Sequence, residues 1–244
     1  MAAAALPATW MFATRAAARQ KAQTERPAKH NVLTDREKAD GWRLLFDGKS
    51  MDAWRRFNGD AVGAQWKVED GAMVLTAGGG GDVITREQFD SFELALDYAI
   101  APGGNSGLMF HVREGDPEPG MNGPEVQLLD NAGGGDPQKA GWLYELYRPA
   151  DDPETGKPLD ATRPAGEWNR LRLILEGPKG SIEMNGVEYV TFEMWGAEWD
   201  RRVAASKFVQ WPQFGKAKTG HICLQDHGAR VAFRNIKVRP IKAK

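Results

Sequence analysis

Alternation of apolar and polar positions runs through most of this chain from residue 66 onward, and it predicts strands. Segments 66–75, 92–100, 106–112, 125–130, 169–176, 181–190, 222–225 and 231–238 each carry short apolar runs or period-two patterns. Asp70-Gly71 and Asn185-Gly186 interrupt two of these runs where a tight hairpin turn would fall. In all, roughly ten strands are expected, with most partners distant in sequence. Helices are few. Thr34-Asp-Arg-Glu37 has the form of a capping box opening a short helix that stops at Gly41. A second short helix fits the Trp-rich segment 193–214, and residues 131–166 form a long Gly-, Pro- and Asp-rich connection with aromatics inside it. A connection of that length in a compact domain is ordinarily functional or disordered, and its aromatics favour an ordered loop over a site. These features predict an all-β sandwich of two antiparallel sheets over residues 34–244, preceded by an extension over residues 1–33.

Composition narrows the function. The 244 residues include 28 Gly and 14 Pro, as a turn-rich β protein requires, and a formal net charge of −1 with no basic stripe argues against nucleic acid. A single cysteine, Cys223, rules out an intramolecular disulfide and reads as a small buried hydrophobe. No apolar run reaches the roughly 18 residues of a membrane span. Residues 1–18 are Ala-rich like the second half of an export signal but lack its positive start, which leans towards a periplasmic or extracellular location.

The most informative segment is Gly220-His-Ile-Cys-Leu-Gln-Asp-His-Gly228. Alternation sets Ile222, Leu224 and Asp226 on one face and His221, Cys223, Gln225 and His227 on the other. The same parity pairs Glu125 with Gln127, and joins Gly107, Met109 and His111. One sheet face would then gather Glu125, Gln127, His111, Gln225 and His227, a polar set suited to a ligand pocket. Asp226, facing away, is expected to brace a turn or pair with Arg230 or Arg234.

Ordered motifs point further. Gly41-Trp-Arg-Leu-Leu-Phe-Asp-Gly-Lys49, Gly104-Asn-Ser-Gly-Leu-Met-Phe-His111, Gly123-Pro-Glu-Val-Gln-Leu-Leu-Asp130, Glu167-Trp-Asn169 and the segment around His221 follow one another in a chain that resembles the 3-keto-disaccharide hydrolase domain family. The resemblance spans about residues 38–242. It implies a concanavalin-like jelly-roll sandwich and cleavage of glycosides already oxidised to a ketone at sugar carbon 3. Where members end the Asn-Ser-Gly strand with Arg, this chain has His111. Such chemistry needs a base for the C2 proton, a group to hold the enolate and an acid for the leaving oxygen. Glu125 and His227 are the expected acid/base groups or ligands of a divalent cation. Lys207 is expected at the enolate or keto oxygen, and Tyr144 as an acid or a stacking ring. His111, Gln127, Gln225, Asn105, Trp142 and Trp211 are the expected sugar contacts. Two alternatives stay open on sequence alone, a non-catalytic carbohydrate-binding module and a conventional glycosidase.

Overall fold

The computed structural model describes residues 29–242. Within them thirteen strands build two antiparallel sheets, with two short α-helices, so the expected β-sandwich is the fold. The strands are β1 (Arg43–Leu44), β2 (Trp54–Arg56), β3 (Trp66–Glu69), β4 (Ala72–Leu75), β5 (Val83–Thr85), β6 (Phe92–Ile100), β7 (Asn105–Val112), β8 (Glu125–Leu129), β9 (Asn169–Glu176), β10 (Lys179–Met184), β11 (Val187–Glu193), β12 (His221–Leu224) and β13 (Val231–Pro240). The larger sheet runs β11-β10-β9-β6-β13-β4-β3, with β1 also paired to β13. The smaller runs β2-β5-β12-β7-β8.

Alternation decides what each sheet buries. On β6, Phe92, Leu94, Leu96 and Tyr98 enter the core between the sheets, where Phe110 of β7, Ile222 and Leu224 of β12 and Phe233 of β13 meet them. The outer face of the smaller sheet carries its own apolar cluster of Phe57, Ile84, Met109, Val112 and Cys223. Asp70-Gly71 and Asn185-Gly186 make the expected hairpins, and both residues of each pair have positive φ, which the right-handed twist of the strands demands and an Asn/Asp-Gly pair tolerates.

The helix α1 (Asp35–Ala39) opens on the predicted capping box, with the Glu37 N–H donating to Thr34 Oγ1 at 3.2 Å and the Thr34 N–H to Glu37 Oε2 at 2.8 Å. The fold begins before it. Asn31, assigned to the extension by sequence, is buried and exchanges backbone-to-side-chain hydrogen bonds with Asn235 at 2.7 and 2.8 Å. The Ala-rich residues 1–18, on which the export expectation rests, lie outside the described residues. No helix among the described residues is long and apolar enough to cross a membrane.

The connection 131–166 is ordered onto the free edge of β8. Gly141 N–H donates to Gln127 O at 2.8 Å, Gln127 N–H to Trp142 O at 3.0 Å and Tyr144 N–H to Glu125 O at 2.9 Å. This loop thereby covers a sheet edge that would otherwise leave backbone groups unpaired. The second helix, α2 (Ala197–Ala205), is followed by a single 3-10 turn, Lys207–Gln210.

Candidate active site

Register across the smaller sheet assembles the site. Ile84, Cys223, Met109 and Glu125 stand directly opposite one another on β5, β12, β7 and β8, forming one row on the outer face. The next row continues past the strand ends: Asp82 precedes β5, Gln225 follows β12 with its N–H on Gly107 O at 2.9 Å, and Gly107 faces Gln127. Over these rows lies a cleft of about 360 Å³, rimmed by the 3-10 turn Pro119–Met121, the Lys207–Gln210 turn and the segment after β12. Its polar lining is Asp82, Glu118, Glu125, Lys207, Gln225, Asp226 and His227, with Trp211 beside them.

Gly107 makes room for Glu125. A Cβ at that position would stand 2.1 Å from Glu125 Oε1, so only glycine lets the carboxyl lie across the sheet. Glu125 makes no side-chain hydrogen bond among the described residues, and its pKa is pushed up to about 8. Burial is the main cause; the ammonium of Lys207 opposes it, while Asp82 and Asp136 add to it. Asp82 is raised to about 6, again chiefly by burial, against which the N–H of Asp226 donates to its Oδ1 at 2.8 Å. Two carboxyl groups in one cleft are thus set on opposite sides of neutrality, an arrangement that separates an acid from a base.

Lys207 is aimed by its surroundings. Ser206 Oγ accepts from Phe208 N–H at 3.1 Å and fixes the 3-10 turn, while the ammonium lies 4.3 Å from the Tyr144 ring centroid. Tyr144 does not line the cleft. Its hydroxyl donates to Asp136 Oδ2 at 2.8 Å and its pKa is raised by burial and by that carboxylate, so it stands behind Lys207. His227 is exposed at the rim and Trp211 half-buried. The Cys223 thiol is buried in the floor, its pKa raised by desolvation and by the Asp82 and Glu125 charges.

Of the residues marked by sequence, Glu125, Lys207, Gln225, His227 and Trp211 come together in the cleft. His111 does not join them. Val112 pairs with His221 and Met109 with Cys223, so β7 carries one more residue than β12 between those pairs, and His111 takes φ +52° in the resulting bulge. The bulge breaks the parity with Met109. His111 is buried against Phe92 and Trp195, with Nε2 2.7 Å from Asp90 O, and burial lowers its pKa. Gln127 and Asn105 share the outer face with Glu125 but lie outside the cleft lining. Gln127 is buried with Gln138 O at 3.5 Å, and the Asn105 Oδ1 is buried without a partner. Trp142 caps the β8 edge through its carbonyl rather than facing the cleft.

Asp82, Glu118 and Asp226 were not marked for chemistry. Asp226 Oδ2 accepts from Gly81 N–H at 2.8 Å and Oδ1 from Gly228 N–H at 3.0 Å. It braces the two cleft-lining turns, while Arg230 pairs with Glu69 and Arg234 lies near Asp97. For Asp82 a signal was available: it stands two residues before Ile84, hence on the same face.

No three His, Cys, Asp or Glu side chains among the described residues come close enough to enclose a metal ion. The cleft does present oxygen donors, including Gln225 Oε1, which is buried without a hydrogen-bond donor. An unpartnered amide oxygen suits a hard divalent cation whose remaining positions are filled by ligand or water oxygens. A larger depression of about 650 Å³, lined by Tyr147, Lys179 and Phe192, contains none of the sequence-marked residues.

The molecule is thus a two-sheet sandwich with a carboxyl-lined cleft on the outer face of one sheet. Residues 41–239 match the model of the 3-keto-alpha-glucoside-1,2-lyase-like domain, and the chain belongs to that family. It is 31% identical over 238 residues to a 3-keto-disaccharide hydrolase of Bacteroides thetaiotaomicron, covering 82% of this chain and 79% of the relative. Among solved structures, a protein of Parabacteroides distasonis assigned to the glycosyl hydrolases superimposes with a TM-score of 0.80 at 34% identity, covering 88% of this chain and all of that one. A second Parabacteroides distasonis protein of the same assignment gives a TM-score of 0.59 at 25% identity, over 82% of this chain and 99% of that one.

Proposed function

We propose that the cleft cleaves 3-keto-glycosides by elimination followed by hydration. The observation that supports it is the pair of carboxyl groups with pKa values of about 6 and about 8 around a single ammonium, Lys207. A ketone at C3 acidifies the C2 proton. Asp82, ionised at neutral pH, takes that proton, and the C2–H electron pair becomes the C2–C3 double bond of an enolate with its charge on O3. Lys207 balances that charge. The enolate then re-forms the ketone, a C1–C2 double bond appears, and the C1–O bond breaks with its electrons leaving on the aglycone oxygen. Glu125, protonated at neutral pH, supplies the proton that this oxygen gains. Water adds hydroxyl to C1 and a proton to C2, completing a net hydrolysis, while Asp82 gives its proton up to solvent and Glu125 regains one. His227 and Gln225 are the groups available to sugar hydroxyls, and Trp211 offers a ring to a sugar face. A divalent cation held at Gln225 Oε1 would polarise the keto oxygen and leave Asp82 and Glu125 to the proton transfers.

Elimination removes the C2 hydrogen, whereas direct displacement at C1 leaves it in place. Turnover in deuterium oxide should therefore yield 3-keto-glucose bearing deuterium at C2 at the earliest measurable conversion. Product retaining its C2 hydrogen under those conditions contradicts the elimination route.

A further inference from the structure

The outer face of the larger sheet carries a second cavity, on the opposite side of the sandwich from the cleft. It measures about 420 Å³ and is lined by Asp97, Arg163, Trp168, Arg170, Asn185 and Arg234, with Gly186. Its floor is one register row: Arg234 of β13 stands opposite Asp97 of β6, which stands opposite Arg170 of β9. Two guanidinium groups therefore share one carboxylate. Arg170 Nε donates to Asp97 Oδ1 at 2.9 Å, and Asp97 Oδ2 is taken by Asn235 Nδ2 at 2.6 Å. Arg234 Nε lies 3.7 Å from that carboxylate, beyond hydrogen-bonding reach, and is buried without a partner. Arg163 is held from the other side, donating to Trp168 O at 2.9 Å.

The adjoining rows of the same sheet face behave differently. There Arg172 and Arg239 face two carboxylates, Glu93 and Glu183, at hydrogen-bonding distance, although Arg239 Nε is, like Arg234 Nε, buried without a partner. The cavity lining itself holds three guanidinium groups against one carboxylate. Arg234 is moreover stacked on Trp168, its Cζ 3.8 Å from the ring centroid, which fixes the guanidinium plane before any ligand arrives. Burial without a full counter-charge lowers the Arg234 pKa. Planar guanidinium groups recognise carboxylates through paired N–H donors, which lysines cannot do.

We infer that this cavity is a binding site, separate from the catalytic cleft, for the carboxylate of an acidic saccharide such as a uronic acid. The carboxylate completes the donors that Asp97 leaves unmatched, and the neutral sugar body rests in the depression over Asn185 and Gly186.

The test is titration of the full chain with sodium glucuronate, glucose and sodium sulfate, following the Arg side-chain Nε–Hε resonances by NMR. Glucuronate should shift the Arg234 resonance saturably, and glucose should leave it in place. Arg163→Gln, at an exposed side chain whose loss leaves the sheet intact, should weaken glucuronate binding at least tenfold, as should Arg170→Gln. Glu125→Gln should leave it unchanged, which separates this site from the cleft. An Arg234 resonance unmoved by glucuronate overturns the inference, as does an affinity in either Arg variant equal to that of the parent. Sulfate shifting it while glucuronate does not makes the cavity a site for free oxyanions and overturns the saccharide assignment.

Discussion

Glu125 owes its chemistry to a neighbour without a side chain. Gly107 lets its carboxyl lie flat on the sheet beside Met109, where desolvation favours the protonated form. On the proposed mechanism activity requires Asp82 ionised and Glu125 protonated. The pH dependence of kcat/KM should accordingly be a bell, rising through about 6 and falling through about 8. Glu125→Gln should lower kcat by roughly 10²–10⁴, the usual range for losing a general acid, while substrate still binds. The same substitution has a stability signature. The folded-state pKa of Glu125 lies above its ordinary value of 4.5, so the folded protein holds a proton that the unfolded chain has released between those pH values. Stability from this group is present at acid pH and lost as pH rises towards 8. Glu125→Gln escapes that loss, and its Tm relative to the parent should rise between pH 5 and pH 8.5. A gain of about 2–4 °C would correspond to each kcal/mol in a domain of this size.

At the scale of elements, strand parity gave a correct account wherever a strand stayed regular. Ile222 and Leu224 enter the core, Cys223 faces out, and Gln225 follows it into the cleft. Parity failed at His111 because one inserted residue in β7 resets the count, and nothing in Leu-Met-Phe-His-Val marks a bulge. It failed again at Asp226, since β12 ends at Leu224 and the chain turns before Asp226 is reached. Glu118 sits beside a 3-10 turn with no periodic signal at all. Asp226 ties the turn at Gly81 to the turn at Gly228 and hence holds Asp82 beside His227. Asp226→Ala should free the part-buried Gly81 N–H and the exposed Gly228 N–H, destabilise the protein by about 1–3 kcal/mol in urea unfolding and lower kcat/KM about tenfold. Unchanged activity in a folded variant would show that these turns need no such brace.

The whole molecule divides its labour between faces. The core between the sheets, centred on residues such as Tyr98, Phe110 and Phe233, carries no reactive group and serves rigidity. Phe233→Ala should destabilise by about 3–5 kcal/mol, since it empties a fully buried aromatic site without touching the cleft. On the proposed mechanism chemistry is confined to the outer face of the smaller sheet, where the residues after β12 and before β5 meet Glu125 in one cleft. The central claim is that this face acts on sugars already oxidised at C3. Release of aglycone from a chromogenic 3-keto-glucoside, measured beside its unoxidised parent at pH 7, tests it most directly. The account predicts cleavage of the keto form, abolished in Asp82→Asn, and none of the parent. Equal cleavage of both would contradict it, because an unoxidised sugar has no acidic C2 proton for Asp82 to take.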